Sequence, residues 1–327
     1  MFVAAYDDRA RSPDYFVSFI KNTANFCDLH LITPDVKIAG ASSLNPRSLK
    51  RYFKTINPES LPEYRHVKSL FDSIFINYST NQDQFERACF HRWFALNALT
   101  ISLSPSDYVC LLDTDFLLGI SPRELLEHCL LESRNEKIEL AAGWSGVDPV
   151  SICPEITIMT KDFLYGFCEF LLTTYFSAAR RHLLIADYFE RVGNGLPGGV
   201  CDMRALATYS AVKQKVIFNI RSLKGMQIIG NLNSFLASEP GREGDWLLVF
   251  DSGKQALITE GRSTPIIGTH FQGSAKLFMQ LQSAEYWELS RSKCDRHLAG
   301  ISNALEAWRN IYQRTVSLVK RKIFHLA

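Results

Sequence analysis

The chain has 327 residues, 46% hydrophobic and 21% charged, with a formal net charge of +2 at pH 7. That length can bury a sizeable core, as one large α/β domain or one domain with an appendage, and the composition excludes a disordered chain. A charge so close to balance provides no global field for nucleic acid, so no nucleic-acid partner is expected. The eight cysteines, Cys27, Cys89, Cys110, Cys129, Cys153, Cys168, Cys201 and Cys294, are scattered without a CxxC pair. Several sit in apolar runs as small buried hydrophobes, which suits a reducing compartment better than a disulfide scaffold. The first residues lack the basic region and long apolar core of a signal peptide, and no stretch is long and apolar enough to span a bilayer. A cytoplasmic protein, at most peripheral to the inner face of the membrane, is therefore expected.

In chain order, Phe2 to Tyr6 is a short apolar strand, with Asp7 and Asp8 at its exit. Ser12-Pro13-Asp14 predicts a helix start with proline at the first helical position, and Phe16, Phe19 and Ile20 mark the helix face. Asp28 to Thr33 is a second strand, which completes the spacing of a βαβ opening. Pro34 to Pro62 is polar and proline-bearing, and reads as a long connection with little regular structure. Phe71 to Tyr78 is a third strand candidate. Asn81 or Asp83 then caps a helix whose apolar face is Phe85, Cys89, Trp93, Leu96 and Leu99.

Next comes Asp107-Tyr-Val-Cys-Leu-Leu-Asp113-Thr-Asp115. Apolar residues 108–112 read as a strand buried on both faces, as in a parallel sheet covered by helices. The strand runs into two carboxylates at i and i+2, which an extended chain points the same way. Adjacent acids at a buried strand end repel unless a cation or proton lies between them. A hard divalent metal is one reading; a pair of turn or helix-capping aspartates is the other.

Ser121-Pro122-Arg123-Glu124 has the form of a capping box opening a helix, and Glu139 to Trp144 is a further strand. Ile156 to Met159 reads as a strand and Asp162 to Tyr175 as an aromatic-rich core helix. Gly193, Gly195, Pro197, Gly198 and Gly199 precede Asp202 and a helix through Ala211. Trp246 to Asp251 and Ala256 to Glu260 form a hairpin pattern. From Ala304 the tail is helical by pattern, with Trp308, Ile311, Val319 and Phe324 beside Arg309, Arg314, Lys320, Arg321 and Lys322. Such a helix can lie on an anionic membrane surface, or dock on its own domain with a solvated basic rim. The expected division is a main domain over residues 1–280 and a helical extension over 281–327.

Strands alternating with helices predict a doubly wound sheet whose ligands bind outside the carboxyl ends of its strands. Asp113 and Asp115 fall at that edge, as do Asp7, Asp8 and Asp202. His270, in Thr-His-Phe-Gln-Gly-Ser-Ala-Lys, is the nitrogen candidate to join two carboxylates. Gly273 would let backbone approach a ligand closely, and Lys276 is a point charge suited to phosphate.

Val3-Ala-Ala-Tyr-Asp-Asp8, Leu111-Leu-Asp-Thr-Asp115 and His270-Phe-Gln-Gly-Ser-Ala-Lys276 together resemble nucleotide-sugar glycosyltransferases of GT-A fold. The nearest likeness is to the glycogenin and bacterial lipopolysaccharide galactosyltransferase group, in outline from Phe2 to about Lys276. The resemblance implies a Rossmann-like, mostly parallel central sheet with helices on both faces, followed here by a C-terminal helical tail. It implies that Asp113, Asp115 and His270 hold Mn²⁺ or Mg²⁺ against a diphosphate contacted by Gly273 and Lys276. Ala5, Tyr6 and Asp8 would flank the nucleoside, Thr114 belongs to the same nucleotide-sugar set, and Arg92 matches the arginine that approaches the sugar phosphate. Asp202 lies where that group keeps an acid near the sugar. It is the candidate base if configuration is inverted, or stabiliser of the cationic sugar if it is retained; capping the helix that begins near Met203 is its structural alternative.

Two departures stand out. Leu277-Phe278 replaces the group's Pro-Trp, and Glu155-Ile-Thr-Ile-Met takes the slot of its Asn-x-Gly-Val. The implied activity is hexosyl transfer from a nucleoside-diphosphate sugar, UDP-sugar favoured, to a glycan or glycolipid acceptor in polysaccharide biosynthesis. Two other classes compete: a haloacid-dehalogenase-type phosphohydrolase, against which Phe116 and the position of the acidic strand argue, and a non-catalytic sugar-nucleotide-binding protein.

Overall fold

A computed structural model describes residues 1–7, 11–12, 15–34, 37–38, 53–134, 137–144, 151–194, 199–230, 246–251, 254–259, 262–271, 279 and 286–290. The opening strand β1 (Phe2–Tyr6) is followed by β2 (Arg11–Ser12), α1 (Phe16–Ala24), β3 (Leu29–Ile32), β4 (Lys37–Ile38) and β5 (Phe53–Ile56). Then come α2 (Pro62–Ile74), α3 (Asp83–Leu99), β6 (Tyr108–Leu112), β7 (Phe116–Leu118), α4 (Pro122–Glu132), β8 (Leu140–Gly143) and β9 (Cys153–Thr160). Helices α5 (Lys161–Phe176), α6 (Ala178–Gly193) and α7 (Asp202–Val212) lead to β10 (Ile217–Asn219) and β11 (Gln227–Ile229). Strands β12 (Trp246–Asp251), β13 (Lys254–Thr259), β14 (Arg262–His270) and β15 (Tyr286–Ser290) complete the described elements.

The central sheet has seven strands in the order β10-β8-β9-β6-β1-β3-β5. All run parallel except β9, which is antiparallel to both of its neighbours, β6 and β8. This is the mostly parallel, Rossmann-like sheet that the resemblance implies. The strand alternation divides the core cleanly. Val3, Ala5, Cys110 and Leu112 join the cluster under α1 and α4, whereas Ala4, Val109 and Leu111 join the cluster under α2, α3, α5 and α7. Both faces of the sheet are thus covered, which is why its inner strands read as continuous apolar runs. Trp93, Phe71 and Phe167 are fully buried on the second face, each worth on the order of 2 kcal/mol relative to exposure.

A second sheet of six strands, β11-β14-β13-β12-β15 with β7 on β14, packs into the first cluster. Its junction with the central sheet is β7, whose Leu118 exchanges backbone hydrogen bonds with the Asn22 side chain of α1. Buried Gln255 donates to the carbonyls of Leu117 and Leu118 and accepts from Thr269. The junction is tight. A Cβ on Gly119 would collide with the Ile266 carbonyl, and one on Gly268 with the Phe116 ring.

Several expectations need correction. Residues 71–74 are the last turn of α2, not a strand, because Tyr64 and Phe71 supply a helical face two turns long that the apparent alternation after Phe71 masks. The stretch from Pro34 to Pro62 is not structureless: β5 pairs in parallel with β3 at the sheet edge. The first helix begins at Phe16 with Tyr15 as its N-cap, while Ser12 lies in β2 and Pro13 and Asp14 lie outside the described residues. Neither Asn81 nor Asp83 caps α3; its N-cap is Gln82 without a side-chain bond, and Asn81 donates to Glu86 instead. The face of α3 is set by Phe90, Trp93, Phe94 and Leu96, and Phe85 is exposed. Of the expected helical extension, residues 286–290 are strand paired with β12, and the basic tail lies outside the described residues. The Ser121 cap is as predicted, with its hydroxyl accepting from the Glu124 amide and Pro122 at the first helical position.

Candidate active site

Strand β6 ends at Leu112, and the chain turns through Asp113-Thr114-Asp115 into β7, with the Phe116 amide donating to the Asp113 carbonyl. The turn is pinned on both sides. The Asp113 amide donates to the Glu155 carbonyl of β9 at 3.1 Å, and the Phe271 amide donates to the Asp115 carbonyl at 2.8 Å. Because β7 pairs antiparallel with β14, His270 lies directly opposite Phe116. The register therefore carries the imidazole to the two carboxylates from 155 residues away.

The His270 ring is oriented from behind. Its Nδ1 donates to the Gly230 carbonyl at 3.0 Å, which turns Nε2 toward Asp115 Oδ1 at 3.0 Å and Asp113 Oδ2 at 3.8 Å. Burial works against its charge, but the hydrogen bond to Asp115 and the charges of Asp115 and Asp113 hold its pKa up to about 9. Burial pushes Asp113 up to about 6, against the pull of Arg92 and His270. Asp113, Asp115 and His270 each offer one ligand atom, all within 4.8 Å of one another.

On the other flank, α3 delivers Arg92. Its Nη1 donates to Asp113 Oδ1 at 2.6 Å, while Nε at 2.9 Å and Nη2 both donate to Asp202 Oδ2. Trp93 Nε1 donates to the same oxygen at 2.9 Å. Asp202 is only 2% exposed, so one carboxylate oxygen in a dry setting accepts three N–H donors. Burial disfavours the charge on Arg92, yet Asp202 and Asp113 hold its pKa well above the ordinary arginine value. Asp202 begins α7 but is not its cap; Cys201 occupies that position and makes no side-chain bond.

The donor set fits a divalent cation. Three carboxylates, Asp113, Asp115 and Asp202, face two cations, Arg92 and protonated His270, which leaves one negative charge over. A divalent ion in place of the imidazole proton would bring the group to neutrality. Arg92 occupies only Oδ1 of Asp113, so Oδ2 remains on the His270 side.

The other predicted residues fall as follows. Ala5 pairs with Leu112 across β1 and β6, so Ala5 and Tyr6 stand at the same carboxyl edge, one strand from Asp113. Thr114 is buried within the acidic turn. Asp8, Gly273 and Lys276 lie outside the described residues. Unforeseen in the sequence were the joint grip of Arg92 on Asp113 and Asp202, the indole donor of Trp93, and an ion pair between Glu155 and Arg221 at 2.8 Å beneath the acidic turn.

No family model and no curated protein matches the chain. Among solved structures it is similar to mouse xyloside xylosyltransferase 1 in its apo form, at 10% identity and TM-score 0.38, over 67% of this chain and 84% of that one. It is also similar to galactosyltransferase LgtC in complex with donor and acceptor sugar analogs, at 13% identity and TM-score 0.37, over 84% of this chain and 88% of that one. A third is WbbM, a bifunctional glycosyltransferase in apo form, at 12% identity and TM-score 0.37, over 71% of this chain and 40% of that one. All three similar structures are glycosyltransferases.

Proposed function

We propose that the chain is a metal-dependent glycosyltransferase that moves a hexose from a nucleoside-diphosphate sugar, UDP-sugar favoured, to a glycan or glycolipid acceptor. The observation that carries this reading is the convergence of Asp113, Asp115 and His270 at the carboxyl edge of the sheet, with the Arg92–Asp202 pair alongside. Asp113, Asp115 and His270 would hold Mn²⁺ (Mg²⁺ second), which when bound supplies positive charge against the leaving diphosphate.

The chain's own residues account for the rest. Gly273 and Lys276 are proposed to meet the diphosphate, Lys276 as a fixed positive charge. Ala5 and Tyr6, with Asp8 and Thr114, are proposed to bound the nucleoside end. Arg92, held rigid by two carboxylates, is proposed to donate toward the sugar phosphate. Asp202 is assigned as an anion that orients Arg92 and favours positive charge developing on the sugar. The Asp202 side chain is 3% exposed and its Oδ2 already accepts three donors, which leaves it poorly placed to reach an acceptor hydroxyl, so the role of general base suits it less well. That assignment favours retention of configuration.

The test is a panel of UDP- and GDP-sugars incubated with the full chain and Mn²⁺, read as released nucleotide, with Asp113→Asn as the inactive control. Turnover of at least one donor is expected. Failure to bind or hydrolyse any of them overturns the proposal, and binding without turnover assigns the chain to the non-catalytic sugar-nucleotide binders. Among the described residues no helix is long and apolar enough to cross a membrane; contact of the basic tail with the inner membrane face stays a proposal, tested by vesicle co-sedimentation.

A further inference from the structure

The two halves of the metal-ligand group come from different sheets, and one ion pair reaches both. Asp113 follows β6 of the central sheet, and its amide is held by the carbonyl of Glu155 on neighbouring β9. His270 ends β14 of the second sheet, and its Nδ1 is held by the carbonyl of Gly230, just after β11. Between these anchors stands Arg221, in the short 3₁₀ turn Ile220–Ser222 that carries the chain from β10 in one sheet to β11 in the other. Its Nη2 donates to Glu155 Oε1 at 2.8 Å, and the Glu155 side chain is 1% exposed.

The pair is wedged in place by backbone. A Cβ at Gly230 would collide with the end of the Arg221 guanidinium and come within 3.1 Å of Glu155 Oε1. One at Gly143 would lie 2.9 Å from Arg221 Nε and 3.1 Å from Glu155 Oε1. Each anchor thus has two contacts. Glu155 grips Asp113 by its main chain and Arg221 by its side chain, while Gly230 grips His270 by its carbonyl and abuts Arg221 through its bare Cα.

We infer that the Arg221–Glu155 ion pair is a positioning clamp that sets the spacing between Asp113 and His270, and with it the affinity of the site for a divalent cation. The inference rests on the reading of Asp113, Asp115 and His270 as metal ligands. A clamp of this kind is the outer support that imidazole and carboxylate ligands need to stay in geometry, and its loss typically lowers metal affinity on the order of 10–100-fold.

The experiment is titration of the metal-free full chain with Mn²⁺ alone, following free Mn²⁺ by electron paramagnetic resonance, for wild type, Arg221→Met, Glu155→Gln and Gly230→Ala. Gly230→Ala keeps both charges and displaces the guanidinium while crowding Glu155 Oε1, so it remains informative if Arg221→Met fails to fold. Lys215→Met is the control, because it breaks a different part-buried ion pair, Lys215 with Glu139 at 2.7 Å. Melting curves and circular dichroism accompany each titration. Expected are a 10–100-fold loss of affinity in each of the three folded clamp variants and wild-type affinity in Lys215→Met. Wild-type Mn²⁺ affinity in folded clamp variants overturns the clamp and leaves the metal reading intact. An equal loss in Lys215→Met also overturns it, by showing a general effect of stability. Absence of Mn²⁺ binding in the wild type overturns both.

Discussion

Replacing Arg92 with methionine keeps most of the aliphatic stem and removes the charge that Asp113 and Asp202 share. The Arg92 side chain is 12% exposed and that of Asp202 3%, so solvent screening does little to soften the loss. Breaking a buried pair by removing one partner costs about 3–5 kcal/mol, a fall in melting temperature on the order of 10 °C. Asp202 keeps one donor, Trp93 Nε1. Asp113 loses its guanidinium, and burial already pushes its carboxyl up to about 6. Without Arg92 that rise grows, so the folded variant binds more protons than its unfolded chain over the pH range between the two pKa values. Its stability should therefore increase as pH falls from 8 toward 5. Added Mn²⁺ should raise its melting temperature more than that of the wild type, because the ion replaces part of the missing charge. Scanning fluorimetry over this pH range, with and without Mn²⁺, reads all three effects. A melting temperature within about 2 °C of wild type at pH 8 would refute the electrostatic reasoning.

Two further outcomes are expected. Gly268→Ala should destabilise the protein by about 1–3 kcal/mol, because its Cβ meets the Phe116 ring and lies 2.7 Å from the Leu117 carbonyl; urea unfolding checks it, and an unchanged midpoint would show the β7–β14 approach to be looser than described. Burial raises the Glu139 pKa, but hydrogen bonds from Lys215 and the Val216 amide outweigh it and hold the group below its ordinary 4.5. Its contribution is thus present above pH 4.5 and lost as pH falls through the lower folded value. Wild type should exceed Glu139→Gln in stability at pH 7 and match it near pH 3, and a gap independent of pH would contradict this assignment.

Much of the central sheet could be read from residues because its strands are buried on both faces. Phe2–Tyr6 and Tyr108–Leu112 have no polar alternation to confuse, and they pair with each other as expected of inner parallel strands. Strand β5 has the opposite pattern: at the sheet edge, Lys54 and Thr55 are both exposed and resemble loop. Helix α2 has a strand-like pattern from Phe71 because its apolar side is narrow, with only Tyr64 and Phe71 buried. The acidic strand end, His270, Arg92 and Asp202 could each be picked out singly. Their partnership could not, since Arg92 and Asp202 stand 110 positions apart and no local pattern encodes a shared oxygen. In the sequence Glu155 stands out only as a departure from a resembling motif, and its partner Arg221 carries no local signal at all.

The pairing of β7 with β14 has a consequence for how the protein comes to possess its chemistry. Phe116 and His270 are laddered neighbours separated by nearly half of the chain, so closing that loop is costly in entropy and is expected to come late in folding. A nascent chain or a proteolytic fragment that stops before β14 would carry the entire Asp113-Thr114-Asp115 motif and lack its imidazole. Such a piece could be collapsed and helical while having no competent cation site. If Asp113, Asp115 and His270 hold Mn²⁺ as proposed, acquisition of Mn²⁺ binding during refolding would time the meeting of the two sheets, a native-state clock that requires no added label.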